Sequence, residues 1–159
     1  MKLLLIRHGE AVDASADTPD RSRWLTARGR TETAAAAKHL CAHPPGALVT
    51  SPLVRAVQTA EIIAAHAAPP GPVTVLSALA TGDLAAIHRF VEAWRGDGAL
   101  ALVGHEPTLS QVLVALLENT RWPGFEKSCV VALSRKGGHW TFDWMFLAAT
   151  ATTIVRLPD

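Results

Sequence analysis

The sequence predicts an α/β fold: a three-layer α/β/α sandwich around a mainly parallel central sheet, with an antiparallel hairpin at its C-terminal edge. Three observations carry this expectation. Short apolar runs alternate four times with longer segments of helical periodicity over the first 117 residues. The runs are apolar at successive positions, as strands covered on both faces require. The final third switches to aromatic-rich, period-two segments around a Lys-Gly-Gly turn, the pattern of a hairpin.

Taken in order, "KLLLI" (2–6) is the first strand and the polar, proline-broken stretch 11–23 is loop. Thr26 is the N-cap of an alanine-rich helix that runs to about Cys41. "ALVTS" (47–51) is the second strand, and Ser51-Pro52 reads as an N-cap followed by proline at the first helical position. The helix behind it carries Leu53, Ala56, Val57, Ala60, Ile63 and Ala64 on one stripe. "VTVL" (73–76) is a third strand, and Asp83 caps a helix with Leu84, Ile87, Val91 and Trp94 on its apolar face. "ALALV" (99–103) is a fourth strand, and Pro107 starts a helix aligning Leu109, Val112, Leu113, Leu116 and Leu117. "CVVALSR" (129–135) and "HWTFDWMFL" (139–147) form the hairpin, with His139 in its loop and Trp140 and Trp144 on one core-facing side.

Bulk properties narrow the function classes. A chain of 159 residues suits one domain, 1–159, with "HPPGA" (43–47) and "PPGPV" (69–73) as internal connections. Hydrophobic residues at 49% and charged residues at 18% read as globular. A net charge of +1 gives no general case for nucleic-acid or membrane binding. Met1-Lys2 runs straight into the first strand, with no signal peptide, and no apolar run is long enough to cross a bilayer. Cys41 and Cys129 lie far apart and read as buried free thiols, which suits a cytoplasmic protein, monomeric or weakly dimeric.

Three places break the apolar logic, and each follows a strand: Arg7-His8-Gly9-Glu10, Ser51-Pro52 with Arg55 one turn further, and Gly104-His105-Glu106-Pro107. In a parallel sheet these ends share one edge, where open α/β sheets place their ligands. Two arginines, two histidines and two helix N-termini converging there suit a phosphoryl group, because the guanidinium fork matches phosphate oxygens. A neutral imidazole such as His8 is a good nucleophile near pH 7, and the Gly9 carbonyl is placed to hold its Nδ1–H and leave Nε2 free. Glu10 and Glu106 are read as partners of the arginines or histidines, and Ser51 as a cap near the pocket. His39, His43, His66 and His88 are read as surface residues, while Trp24 and Trp122 lie in loops that could flank the site mouth. Two other readings compete: a metal-dependent hydrolase using His8, Glu10, His105 and Glu106, weakened by the arginines' positive charge, and a non-catalytic phosphate-binding module.

"RHGEA", "LTARG" (25–29), "SPLVRAVQTA" (51–60) and "VGHEP" (103–107) together resemble, in order and spacing, the histidine phosphatase superfamily of phosphoglycerate mutase-like proteins. The nearest likeness is to the short SixA-type branch, the phosphohistidine phosphatases. The resemblance implies His8 as nucleophile, Arg7, Arg55 and His105 completing the phosphate pocket, and no cofactor or metal. It implies as substrate a phosphorylated protein histidine or a small phosphorylated compound, so a broad phosphomonoesterase is the alternative. Where many relatives carry an acidic glutamate, this chain has Ala78, and Asp83 is the nearest candidate for a residual acid. Residues 11–24 also lack the asparagine of the mutases. Both departures argue against a sugar-phosphate mutase.

Overall fold

The computed structural model describes residues 1–118 and 121–157. The four apolar runs form β1 (Lys2–Arg7), β2 (Pro45–Thr50), β3 (Thr74–Val75) and β4 (Ala99–Gly104), and the C-terminal segments form β5 (Val130–Lys136), β6 (His139–Leu147) and β7 (Thr152–Ile154). They make one seven-stranded sheet in the order β3-β2-β4-β1-β5-β6-β7. The first four strands pair in parallel, with Arg7 opposite Gly104 and Thr50 opposite Val103, so the ends of β1, β2 and β4 lie side by side. β5 joins β1 antiparallel, with Ile6 opposite Val130, and β6 and β7 continue outward antiparallel.

Both faces of the inner strands are buried, which is why those strands read as unbroken apolar runs. Leu3, Leu5, Leu100 and Leu102 pack on one face with Ile87 and Val91 of α4 (Leu84–Ala93) and Leu109 and Leu113 of α5 (Thr108–Leu117). Leu4, Ile6, Ala101 and Val103 pack on the other with Ala36, Ala37 and Leu40 of α1 (Ala27–Leu40) and Ala56, Ala60 and Ile63 of α2 (Val54–Ala67). Each inner side chain moved from water stabilises by about 25 cal/mol per Å² of apolar area.

The structure departs from the sequence expectation in several places. A one-turn helix, α3 (Ala78–Thr81), and the edge strand β7 are additional elements. The stretch read as loop contains a 3-10 turn at Asp20–Ser22. α2 begins at Val54, so Ser51 is not its cap. Trp140 and Trp144 lie on opposite faces, because a bulge puts Phe142 opposite Leu133 but Trp144 opposite Ala132. One extra residue, Asp143, inverts the alternation. His139 is the first residue of β6 rather than loop. Finally, Cys41 is exposed, whereas Cys129 is buried, and His39 is half-buried with its ring stacked 4.2 Å from that of Phe146. His43, His66 and His88 are exposed.

Candidate active site

β1 carries Arg7 and then His8 out of the core at the carboxyl edge of the sheet. His8 is 4% exposed and is fixed by its own neighbour: Nδ1 lies 2.7 Å from the Gly9 carbonyl oxygen. On the opposite side of the ring, Arg55 Nε–H donates to His8 Nε2 at 3.2 Å. A carbonyl only accepts and a guanidinium only donates, so Nδ1 carries the proton and Nε2 the lone pair. Burial holds the ring neutral, pushing its pKa down to about 2. The charges of Lys127, His105 and Arg55 act in the same sense, and the Gly9 carbonyl opposes them.

The backbone around Gly9 explains the glycines in two of the motifs. Gly9 N–H donates to Thr59 Oγ1 at 3.1 Å, and Thr59 donates to the Arg55 carbonyl at 2.7 Å, tying β1 to α2. A Cβ on Gly29 would stand 2.0 Å from the Glu10 carbonyl oxygen, and one on Gly9 would stand 2.5 Å from Thr33 Oγ1. The first turn of α1 therefore leans directly on the backbone after His8. Thr26 caps that turn, accepting from Gly29 N–H at 3.0 Å, and itself donates to Glu10 Oε1 at 2.7 Å. Glu10 thus holds the start of α1 and faces Arg28 at 3.9 Å.

Arg55, in the first turn of α2, is buried, and each of its three guanidinium nitrogens donates a hydrogen bond. Besides His8, it donates to the Asp20 carbonyl at 2.7 Å and to Asp20 Oδ2 at 3.1 Å. The other Asp20 oxygen accepts from Arg23 at 3.0 Å. Hydrogen bonding to Arg23, and then to Arg55, holds the Asp20 carboxyl below its ordinary pKa. Asp20 is therefore an anion bridging two guanidinium groups, and the sequence reading passed it over inside a polar loop. Arg7 donates to the Phe125 carbonyl, while its Nε is buried without a partner among the described residues. Burial lowers its pKa, opposed by the charges of Glu106 and Cys129.

His105 follows β4, its ring 4.9 Å from that of His8. Its Nε2 lies 2.7 Å from Ser51 Oγ, which also accepts from Leu53 N–H at 3.3 Å. Its Nδ1 is buried and has no partner among the described residues. Burial and the Arg55 charge push its pKa down to about 4. Glu106 turns away from the histidines: its Oε1 accepts from Phe125 N–H at 2.7 Å and Ser110 at 2.8 Å, which anchors the segment that receives Arg7. Among the described residues no three His, Cys, Asp or Glu side chains form a metal-binding group. His8, Glu10, His105 and Glu106 do not assemble as an ion-binding set.

Beside these groups lies a cleft of about 350 Å³, lined by Asp20, Arg55, Thr81, His105, Pro107 and Gln111 among others. Asp83 is not on its lining; its Oδ1 accepts Ala86 N–H at 2.9 Å and caps α4. Ala78, at the start of α3, is buried in the core. Trp24 is 47% exposed, whereas Trp122 is half-buried edge-on to Phe125, 5.1 Å away. The structure thus brings together Arg7, His8, Arg55, His105 and Ser51, a set of polar groups around a neutral imidazole whose Nε2 lone pair faces Arg55. Such a set can hold a tetrahedral oxyanion and present a nucleophile to it.

Residues 3–84 match the family model described as histidine phosphatase superfamily (branch 1). The chain is 40% identical over 116 residues to an uncharacterized protein of Picosynechococcus, covering 70% of each. Among solved structures it is similar to the protein histidine phosphatase SixA complexed with tungstate, with a TM-score of 0.84, 24% identity, and coverage of 96% of this chain and 100% of that one. A mycobacterial glucosyl-3-phosphoglycerate phosphatase bound to VO3 is similar at a TM-score of 0.71 and 20% identity, over 89% of this chain and 96% of that one. The matched span contains three of the four motifs around the pocket, and on it and the 40% identical relative the chain belongs to branch 1 of the histidine phosphatase superfamily, as a phosphatase.

Proposed function

We propose that this phosphatase is metal-independent, works through a phosphohistidine intermediate on His8, and acts on phosphohistidine carried by a protein. The observation that carries the reading is the His8 ring, neutral, with Nδ1 on the Gly9 carbonyl and Nε2 toward Arg55. A phosphoryl group entering the pocket takes over the donors of Arg55 that Asp20 and His8 occupy. His8 Nε2 attacks phosphorus in line, a P–N bond forms, and the bond to the leaving nitrogen breaks. Water then attacks the phosphohistidine, releasing phosphate and regenerating His8. Arg7 and Arg55 stabilise the charge on the equatorial oxygens. With Ser51 Oγ accepting from Leu53 N–H and turning its own proton to His105 Nε2, 2.7 Å away, His105 carries its proton on Nδ1, and in this reading that Nδ1–H is a further donor to those oxygens.

The substrate class follows from the leaving group. An alkoxide needs a proton in the transition state, and that help is worth about 10²–10⁴-fold. An imidazole already protonated at its other nitrogen leaves as the neutral base. With alanine at position 78 and Asp83 committed to a cap, the site favours the substrate that needs less help. Exposed residues on the cleft lining, Asp20, Thr81, Pro107 and Gln111, leave it accessible to a side chain on a protein surface. The similarity to a SixA structure supports the same class.

The test is a substrate panel after exhaustive EDTA treatment. A histidine-phosphorylated protein and p-nitrophenyl phosphate are expected to turn over about 100-fold faster than phosphoserine or glycerol phosphate, the scale of missing acid catalysis. Preference for the alkyl esters would make the chain a small-molecule phosphomonoesterase. Activity lost to EDTA and restored by metal would contradict metal independence.

A further inference from the structure

Lys127 stands in no motif of the sequence, yet the topology delivers it to the site. Because β5 runs antiparallel to β1, with Ile6 opposite Val130, the residues just before β5 lie beside the carboxyl end of β1. Arg7 N–H donates to the Cys129 carbonyl at 3.1 Å and Ser128 N–H to the His8 carbonyl at 3.3 Å, while the Arg7 guanidinium bonds the Phe125 carbonyl. Ser128 Oγ is pinned 3.1 Å from Thr33 Oγ1 of α1. Lys127 is therefore carried between two residues fastened to Arg7 and His8.

The side chain is half-buried and makes no hydrogen bond or ion pair with any described residue. The charged and titratable groups acting on it come from every surrounding element: Arg7 from β1, Arg23 and Glu10 from the loop, and Arg55 from α2. It acts in turn on His8 and His105. Burial, followed by the three arginines, pushes its pKa down to about 8, and Glu10 opposes them. A half-buried ammonium among three guanidinium groups is unfavourable until an anion joins them.

We propose that Lys127 is a third cation of the phosphoryl pocket beside Arg7 and Arg55, its ammonium group hydrogen-bonding the phosphoryl oxygens of the substrate. The inference rests on the phosphatase reading and adds a residue to its site. It also adds a pH limit. The profile of kcat/KM reports groups of the free enzyme, so the rate falls as the ammonium loses its proton above about pH 8. Neither histidine titrates in that window, since burial holds both neutral, nor does Cys129, whose thiol burial pushes up to about 12.

The test measures kcat/KM for p-nitrophenyl phosphate from pH 6 to 10, and orthovanadate affinity by calorimetry, for wild type, Lys127→Met and Lys127→Arg. Lys127→Met is expected to lower kcat/KM at pH 7 by about 10- to 100-fold, the worth of one charge-assisted hydrogen bond, and to weaken vanadate similarly. Lys127→Arg should keep most of the pH 7 activity and lose the decline above pH 8, which a packing role would not produce. Lys127→Met with wild-type kcat/KM and vanadate affinity would overturn the proposal, as would an alkaline decline unchanged in Lys127→Arg. Were wild type itself inactive, the phosphatase reading would fail separately. Vanadate binding would then still decide the contact, equal affinities in wild type and Lys127→Met counting against it.

Discussion

Lowering the pH from 7 to 5 is expected to remove about 4 kcal/mol of folding stability through His8 and His105 alone. Both rings are buried, 4% and 8% exposed, and burial depresses their pKa values to about 2 and about 4 from the 6.5 of the unfolded chain. Between the unfolded and folded values the unfolded chain binds the extra protons, so stability rises with pH. The contribution is complete above about pH 6.5 and is lost as pH falls, toward 4 for His105 and toward 2 for His8. At pH 5 each ring lies about 1.5 units below the unfolded pKa, which at 1.36 kcal/mol per unit gives about 2 kcal/mol apiece. That is a large share of a typical 5–15 kcal/mol. His39, lowered by burial, contributes in the same direction, so a variant comparison carries the test. Urea unfolding at pH 7, 6 and 5, followed by tryptophan fluorescence, should show His105→Gln losing about 2 kcal/mol less than wild type over this interval. Equal pH slopes in wild type and His105→Gln would refute the reasoning, because they would mean that His105 takes up its proton in the folded state.

Other expectations follow from the same geometry. Arg55→Ala and Arg7→Ala should each cost about 2–4 kcal/mol of transition-state stabilisation in kcat/KM, and the lysine variants should recover little because the fork is lost. Near-normal lysine variants would reduce the pocket to a diffuse positive field. Asp20→Ala should bind orthovanadate about 2- to 5-fold more tightly, since an exposed carboxylate no longer competes for Arg55; the gain is small because such pairs are worth about 0–1 kcal/mol. Weaker binding would show instead that Asp20 holds Arg55 ready. Gly29→Ala should destabilise by about 2 kcal/mol or more in thermal unfolding, because its Cβ would meet backbone at 2.0 Å from the Glu10 oxygen. An unchanged melting temperature would contradict that close approach.

Much of this was legible in the sequence, for physical reasons. β1 and β4 are buried on both faces, and such strands announce themselves as unbroken apolar runs ending abruptly in polar residues. Thr26 and Gly29 mark the start of α1 through a local cap, which three residues of sequence suffice to encode. The placement of Arg7, His8, Arg55 and His105 on one edge follows from parallel pairing alone. What was missed depends on contacts between distant segments. Asp20 sits in an unremarkable polar loop, and its bridge to Arg55 spans 35 residues. The Trp140 and Trp144 faces were misassigned because the bulge at Asp143 is fixed by cross-strand register, not by the local pattern. Ser51 looks like a cap, yet its hydroxyl serves His105 as well as Leu53 N–H. A signal for Lys127 did exist, since a basic residue just ahead of a strand antiparallel to β1 must lie near the end of β1. Using it required knowing which strand β5 joins.

The central claim is that His8 Nε2 takes the phosphoryl group. Wild type mixed with ³²P-labelled substrate and denatured within milliseconds should carry label that survives alkali, is released by acid, and maps to the peptide containing His8. His8→Ala should remain folded by circular dichroism, carry no label and lose turnover. Label on Ser51 or any other residue, or turnover retained in His8→Ala, would contradict the account.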